Sequence, residues 1–202
     1  MQPTAAVVAV QGDVSEHAGA IRRAAAAHGH DVEVREVRTS GHVPDADLLL
    51  MPGGESTTIS RHLRREGIAD EVHDHVAAGK PVLATCAGLI VAARDAKDDR
   101  VDELGLLDVT VDRNAFGRQA DSFEAPLGVG GLDSPFPAVF IRAPVIDEVG
   151  AGVEVLASWE GRPVAVRDGP VVGTSFHPEL TDDSRVHDLA FFESGAASVP
   201  GH

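Results

Sequence analysis

The chain has 202 residues, enough for one sizeable hydrophobic core but short for two independent ones. Hydrophobic residues make up 43% of it, and no apolar run approaches the roughly 20 residues that a membrane span needs. The net charge of −15 argues against a nucleic-acid partner, because phosphate binding needs a basic face.

The N-terminal stretch and the single cysteine indicate the cellular compartment in which we expect the protein to work. No basic segment precedes the apolar stretch at the N-terminus, so the sequence does not predict a signal peptide. Cys86 is the only cysteine and has no partner for an internal disulfide, which is typical of a reducing cytoplasm. Molar salt, where the Debye length is about 3 Å, screens the self-repulsion of so acidic a surface, and this favours a salt-loving source organism. An ordinary acidic bacterial protein is the alternative.

The first half of the chain alternates between strand-length apolar runs and helical patterns. Asp13 to Glu16 has the spacing of a capping box, and Gly29 is the expected residue after the helix that follows. The predicted strands cover residues 5–10, 32–37, 48–51 and 81–85, and the predicted helices cover residues 13–28, 56–67, 68–78 and 87–94.

The second half is richer in short strands separated by Gly and Pro turns. Runs at 138–141, 153–158 and 163–167 predict added, partly antiparallel strands, and 171–176 predicts a return to a buried strand. A last helix is expected over 184–194, with 195–202 as a frayed tail. Together these elements predict one α/β domain over residues 1–202, with an open, mostly parallel sheet flanked by helices and extended by antiparallel strands.

Cys86 comes directly after a predicted strand and directly before a predicted helix, in the sequence Ala84-Thr85-Cys86-Ala87-Gly88. A sharp strand-to-helix turn places a nucleophile at the carboxyl edge of a parallel sheet. The helix N-terminus favours the thiolate, and the N–H of Ala87 becomes available as an oxyanion donor. A buried, inert cysteine is the alternative that this segment alone leaves open.

His177 and Glu179 follow the last predicted strand, with Pro178 between them. Residues two apart on an extended segment point to the same side, so the two side chains can converge. A histidine that takes the thiol proton, held in its tautomer by a carboxylate, is the usual partner of a nucleophilic cysteine. A surface histidine beside a surface acid explains the pair equally well.

A glycine-rich segment, residues 52–58, follows the third strand, but it lacks the Gly-Lys-Ser/Thr ending of a phosphate loop. The adjacent Gly53 and Gly54 allow the backbone to approach a ligand and to supply a second oxyanion donor. An ordinary turn into a helix capped by Ser56 is the alternative.

These segments together resemble the class I glutamine amidotransferases and, among them, the family of glutaminase subunits of pyridoxal 5′-phosphate synthase. The resemblance extends over nearly the whole chain, from Val7 to about Val186. It is carried by Val-Gln-Gly-Asp at 10–13, PGGESTTI at 52–59, TCAGLI at 85–90, RNAFGRQADSFE at 113–124, FIRAP at 140–144 and SFHPELT at 175–181. The pattern departs from the family at Ala84, where glycine is usual, and in an Asp-rich loop over 94–101.

The resemblance implies a Cys-His-Glu triad and a reaction that hydrolyses L-glutamine to L-glutamate and ammonia, without a metal or an organic cofactor. It also implies delivery of the ammonia to a synthase (lyase) subunit in a heteromeric complex. The residues that it implies are Cys86, His177 and Glu179 for catalysis, Gly54, Glu55, Ser56, Arg113, Ile141 and Arg142 for holding glutamine, and Gln11, Gly53 and Ala87 for support at the oxyanion.

Three other readings remain open at this point: an amidotransferase that serves another synthase, a stand-alone cysteine hydrolase of similar fold, and a binding module with an inert cysteine. A metal site is the weakest reading, since His73 and His75 are two apart on a predicted helix and do not share a face.

Overall fold

The structure is a computed structural model, and it describes residues 2–113 and 122–192. Most of the RNAFGRQ segment, the end of the last predicted helix and the expected frayed tail therefore lie outside the described residues. No helix in the described part of the chain is long and apolar enough to cross a membrane.

A seven-stranded sheet forms the centre of the fold, with the strand order β10-β11-β12-β4-β3-β1-β2. Its strands are β1 (Thr4–Val8), β2 (Glu33–Val37), β3 (Leu48–Met51), β4 (Val82–Thr85), β10 (Glu154–Trp159), β11 (Arg162–Asp168) and β12 (Val171–Thr174). The five strands from β12 to β2 are parallel, and β10 and β11 add an antiparallel edge. This confirms the predicted mostly parallel sheet with added antiparallel strands.

Two smaller sheets and five α-helices complete the described fold. The small sheets are β5-β6-β9, made of Ala93–Asp95, Leu107–Asp112 and Val145–Val149, and the hairpin β7-β8, made of Ser122–Leu127 and Phe136–Ile141. The helices are α1 (Val14–Ala27), α2 (Ser56–Arg65), α3 (Ile68–Ala77), α4 (Ala87–Ala92) and α5 (Arg185–Phe191), and Pro178–Leu180 forms a 3-10 turn.

Both faces of the inner strands β1, β3, β4 and β12 are buried, which explains why these strands are mostly continuous apolar runs rather than alternating ones. In β3, Leu49 and Met51 belong to one core cluster, whereas Leu48 and Leu50 belong to the other. The first cluster includes residues of α2, α3 and α4, and the second includes residues of α1, α5 and the β7-β8 hairpin. Helices and small sheets on both sides therefore fix the carboxyl edge of the parallel strands as a rigid platform.

Two local predictions are wrong. Asp13 is the N-cap of α1, but its side chain makes no capping hydrogen bond, so the predicted capping box does not form. The helix after Cys86 ends at Ala92 instead of Arg94. Ala93 instead begins β5, which pairs with β6, because a partner strand from the small sheet offers its backbone groups an alternative to the helix.

Candidate active site

Four neighbouring parallel strands, in the order β12-β4-β3-β1, end at one edge of the central sheet. Directly beyond these ends lie His177 after β12, Cys86 after β4, Gly53 after β3 and Gln11 after β1. Open α/β sheets form their sites at this carboxyl edge. The sheet therefore brings together four segments that the sequence places far apart.

Cys86 forms the strand-to-helix turn that the sequence predicts. Its backbone has φ 51° and ψ −110°, a conformation that is strained for a residue with a Cβ atom, and it is the N-cap of α4. A hydrogen bond of 2.9 Å from its N–H to the carbonyl of Thr174 ties the turn to β12. A Cβ atom at Gly88 would lie 2.0 Å from the carbonyl oxygen of Met51, so the first turn of α4 can pack on β3 only with glycine there.

His177 and Glu179 are both buried and joined by a hydrogen bond of 2.7 Å between Nδ1 and Oε1. The predicted convergence of the two side chains is therefore confirmed, but its geometric basis is wrong. Glu179 lies in the 3-10 turn and not on an extended segment, so the turn brings the carboxylate back to the ring. The N–H of His177 also donates to the carbonyl of Val139 in β8, at 2.8 Å.

The charge state of His177 follows from its neighbours. Burial lowers its pKa, but hydrogen bonds with Cys86 and Glu179, together with the charges of both groups, raise it to about 10. The imidazole ring is therefore protonated at neutral pH, between a sulfur on one side and a carboxylate on the other. This is the arrangement that a thiolate–imidazolium pair requires.

Gly53 closes the space above the pair. A Cβ atom at this position would lie 3.1 Å from Cε1 of His177 and 3.5 Å from Cβ of Cys86. Next to it, a Cβ atom at Gly54 would lie 2.7 Å from Cβ of Gln11, and Oε1 of Gln11 accepts a hydrogen bond of 2.7 Å from the N–H of Glu55. Gln11 thus braces the loop that runs past the sulfur.

Glu55 has a role that the sequence does not predict. It is the N-cap of α2, in place of Ser56, and its carboxylate accepts hydrogen bonds from the N–H groups of Thr57 and Thr58 at 3.1 and 2.8 Å. Burial alone raises its pKa, but these hydrogen bonds, with one from the Thr58 hydroxyl, lower it to about 2. The carboxylate is therefore charged at neutral pH and largely engaged in the cap.

Arg113 reaches the same loop from the end of β6. Its Nη1 donates to Oγ of Ser56 at 3.2 Å and, more weakly, lies 3.4 Å from Oε1 of Glu55. Its Nη2 forms an ion pair of 2.8 Å with Oδ2 of Asp98, in the Asp-rich loop. Asp98 also binds Arg100 through two hydrogen bonds of 2.8 Å, so one carboxylate connects two arginines.

Ile141 and Arg142 lie at the end of β8, the strand whose Val139 accepts the hydrogen bond of His177. Ile141 is half-buried, whereas Arg142 is exposed and has a positive φ of 43°. Both residues therefore follow Val139, the position at which β8 contacts His177, by two and three residues.

A set of buried polar residues behind Glu179 was not singled out from the sequence. His17 is fully buried on α1, with Thr85 and His187 as its hydrogen-bonding neighbours. The spacing of His17 with Ala20, Ile21 and Ala24 places it on the apolar face of α1, and this pattern was the available signal.

One group in the described residues has the spacing of metal ligands: Asp13, His177 and Glu179 offer atoms within 4.8 Å of one another. The Nδ1 of His177 is already bonded to Glu179 at 2.7 Å, and Oδ2 of Asp13 lies 3.7 Å from the same nitrogen. A cation would have to break the bond that orients the ring, so these residues fit a triad better than a metal centre. His73 and His75 bind separate backbone carbonyls, of Leu104 and Pro81.

A cleft of about 690 Å³ lies on the far side of Glu179, between α1 and β8. Ser15, Arg23, Val139 and Thr181 contribute to its walls, but Cys86 does not. Cys86 therefore lies outside this cleft.

The fold and this sheet edge define the class of protein: an α/β protein of the class I glutamine amidotransferase type. A solved structure described as a glutamine amidotransferase superposes with a TM-score of 0.84 and is 46% identical, covering 92% of this chain and 96% of that one. Residues 7–194 match the SNO glutamine amidotransferase family, and the chain belongs to that family.

Curated relatives from salt-loving archaea are similar over nearly the whole chain. The pyridoxal 5′-phosphate synthase subunit PdxT of Halobacterium salinarum is 72% identical over 201 residues, which is 100% of this chain and 99% of the relative. The protein of the same name from Halorubrum lacusprofundi is 75% identical over 188 residues, 93% of this chain and 95% of the relative.

Proposed function

We propose that this protein is the glutaminase subunit of a pyridoxal 5′-phosphate synthase and that Cys86, His177 and Glu179 form its catalytic triad. The observation that carries the proposal is the convergence of these three side chains at the carboxyl edge of the sheet, where His177 is hydrogen-bonded to Glu179 and the backbone of Gly53 lies against both His177 and Cys86. The family membership and the names of the relatives support the substrate and the pathway.

In the first half of the reaction, the thiolate of Cys86 attacks the side-chain amide carbon of glutamine. A C–S bond forms, and the C–N bond breaks as protonated His177 gives its proton to the departing ammonia. Glu179 holds the ring with Nε2 toward the sulfur and stabilises its charge, as an orienting carboxylate does in related triads. The pKa of His177, raised to about 10, keeps the required proton on the ring at neutral pH.

In the second half, neutral His177 accepts a proton from water, and the hydroxide attacks the thioester. The C–S bond breaks, glutamate leaves and the thiolate–imidazolium pair is restored. Both halves pass through an oxyanion, for which we propose the N–H of Ala87 at the start of α4 and a backbone N–H of the Gly53 loop as donors. Losing one such donor typically costs about 10² to 10³ in rate.

The amino-acid end of glutamine needs one cationic and one acceptor partner. We propose that Arg113 binds the α-carboxylate through a charge-assisted hydrogen bond and that Gly54, Glu55 and Ser56 form the wall beside it. Ile141 and Arg142 complete the site from β8. Because Glu55 is engaged as a helix cap, we assign its part in binding to the shape of the loop and not to a direct ion pair with substrate.

Free ammonia is useful to a cell only when it reaches an acceptor, so the proposal includes a synthase subunit that docks on this protein. It also includes a cytoplasmic location, where the thiol of Cys86 stays reduced. No metal or organic cofactor takes part in either half of the reaction.

The experiment is glutamine hydrolysis by the purified protein in molar KCl, with and without the synthase subunit from the same source. We expect glutamate release that rises strongly with the synthase and vanishes in Cys86→Ala at unchanged melting temperature. Hydrolysis that ignores the synthase would point to a stand-alone glutaminase. The absence of glutamate in both conditions would refute the proposed reaction and leave only the family assignment.

A further inference from the structure

A buried histidine pair stands behind the triad carboxylate. His17 on α1 and His187 on α5 are both fully buried, and their rings are joined by a contact of 3.0 Å between Nδ1 of His17 and Nε2 of His187. On its other side, Nε2 of His17 lies 3.1 Å from Oγ1 of Thr85 and 3.4 Å from Oε2 of Glu179. The two rings therefore form a buried path from α5 to the back of Glu179.

Glu179 needs such a neighbour, because a fully buried carboxylate is costly unless both its oxygens are satisfied. Oε1 is bonded to His177, whereas Oε2 has no hydrogen bond that meets ordinary criteria within the described residues. Nε2 of His17 lies 3.4 Å from Oε2, slightly longer than a good hydrogen bond. An Nε2–H of His17 that is shared between Oγ1 of Thr85 and Oε2 of Glu179 explains both the 3.1 Å and the 3.4 Å distances.

The protons of the histidine pair can be assigned from this geometry. Burial lowers the pKa of His17 and the pKa of His187 to about 3. The charge of Glu179 raises the pKa of His17, but burial outweighs it, so both rings are neutral at neutral pH. A carboxylate only accepts, so the proton of His17 belongs on Nε2, and its Nδ1 accepts from Nε2–H of His187. In the described residues, Nδ1 of His187 has no partner, which is acceptable for a bare nitrogen but costly for a buried N–H.

The assignment gives one direction to the whole chain of groups. His187 donates to His17, His17 donates to Glu179, and Glu179 accepts from His177, whose other side meets Cys86. The reverse assignment would point a lone pair of His17 at the carboxylate and bury an unpartnered N–H on His187. It is therefore disfavoured at both ends.

We infer that His17 is a positioning residue of the triad: it donates Nε2–H to the rear oxygen of Glu179 and fixes the carboxylate that orients His177. The inference rests on the proposed function of the triad. His17 touches neither the sulfur nor the substrate, so its effect is on the orientation of the catalytic groups and not on substrate binding. A misplacement of about 1 Å in such a group can cost on the order of 100-fold in rate.

The first test compares three variants of similar size at position 17. In His17→Gln, the side-chain amide nitrogen takes the place of Nε2 and can still donate to Glu179. In His17→Asn, the amide nitrogen takes the place of Nδ1 and faces His187, and His17→Leu has no donor. We expect kcat to fall about tenfold to a hundredfold in His17→Leu and His17→Asn, with little change in the KM for glutamine, and to recover largely in His17→Gln.

The second test does not depend on glutamine hydrolysis. Cys86 is the only cysteine, so its alkylation by iodoacetamide reports directly on the thiolate held by His177. We expect alkylation near pH 7 to slow in His17→Leu and to be restored in His17→Gln. If wild type fails to hydrolyse glutamine, this rate still tests the coupling between His17 and the triad, so the two proposals can fail separately.

The matched control is His75→Leu, the same change at another buried histidine. Burial lowers the pKa of His75 to about 4, and its Nε2 bonds the carbonyl of Pro81 at the start of β4, at the opposite end of that strand from Cys86. His75→Leu should therefore lower stability without changing the rate of alkylation. The inference is overturned if His17→Leu leaves kcat and alkylation unchanged, or if all four variants lose activity in proportion to stability. If His17→Leu does not fold, the Gln and Asn variants decide between the outcomes.

Discussion

Gly53 lies against the ring of His177, close enough that a single methyl group would press on it. A Cβ atom at Gly53 would be 3.1 Å from Cε1 of His177 and 3.5 Å from Cβ of Cys86. The glycine after β3 therefore sets how closely the loop, the thiol and the imidazole can approach one another. A side chain at this position would therefore press on the ring of His177.

We expect Gly53→Ala to reduce kcat about tenfold or more, since the ring must shift by a few tenths of an ångström to admit the methyl group. The measurement is steady-state glutamine hydrolysis in the presence of the synthase. Gly152→Ala is the matched control, because nothing lies within 4 Å of a Cβ atom there. Equal activity of both variants would show that the ring has room to move.

Much of this arrangement is predictable from the sequence, and the reason is the sheet. Leu48–Met51 and Val82–Thr85 are uninterrupted apolar runs ended by Pro-Gly-Gly and by Cys-Ala-Gly, so the positions of Gly53 and Cys86 at strand ends follow from the pattern. The order of the strands cannot be read in this way. It places β12 beside β4 and thereby brings His177 to Cys86 across about 90 residues of chain.

The unpredicted features are of two kinds: local helix caps and contacts between distant segments. Glu55, not Ser56, caps α2, and the side chain of Asp13 does not cap α1. At both helix starts more than one polar residue is close enough to cap, and spacing alone does not decide which of them does. His17 depends instead on distant segments, because its partners come from β4, from α5 and from the turn after β12.

Asp98 provides a test of how Arg113 is held. Its carboxylate pairs with Nη2 of Arg113 at 2.8 Å, and hydrogen bonds from Arg100 lower the pKa of Asp98 well below its usual range. If this pair positions Arg113 for the α-carboxylate of glutamine, Asp98→Asn should raise KM several-fold and leave kcat nearly unchanged. The adjacent, exposed Asp99→Asn makes the same change of charge and should leave both values unchanged.

A lower KM in Asp98→Asn would have the opposite meaning. It would show that Asp98 competes with glutamine for the guanidinium, and the loop would then act against binding.

The buried histidine pair predicts a loss of stability in acid. The pKa of His187 falls from 6.5 to about 3 on folding, mainly through burial. Between these two pH values the unfolded chain binds a proton at His187 and the native protein does not. The stability that depends on the neutral ring is therefore present above about pH 6.5 and is lost as the pH falls below it. His187→Leu lacks this proton uptake.

We expect the difference in unfolding free energy between wild type and His187→Leu to shift by about 2 kcal/mol, in favour of the variant, between pH 7 and pH 5. Urea unfolding at constant salt measures it, and the difference should be constant above pH 7. A difference that stays constant down to pH 5 would mean that His187 is protonated in the native protein, and the proton assignment of the pair would be wrong.

The acidic surface predicts that salt stabilises the protein. With a net charge of −15, self-repulsion destabilises the folded chain in dilute buffer, and molar salt shortens the Debye length from about 10 Å at 0.1 M to about 3 Å. The high identity to relatives from Halobacterium and Halorubrum agrees with this expectation.

We expect the melting temperature to rise steadily from 0.1 M to 2 M KCl. Sucrose at equal osmolality strengthens burial without screening charge and should give a smaller rise. Equal rises in KCl and sucrose would assign the stabilisation to solvent exclusion instead of charge screening.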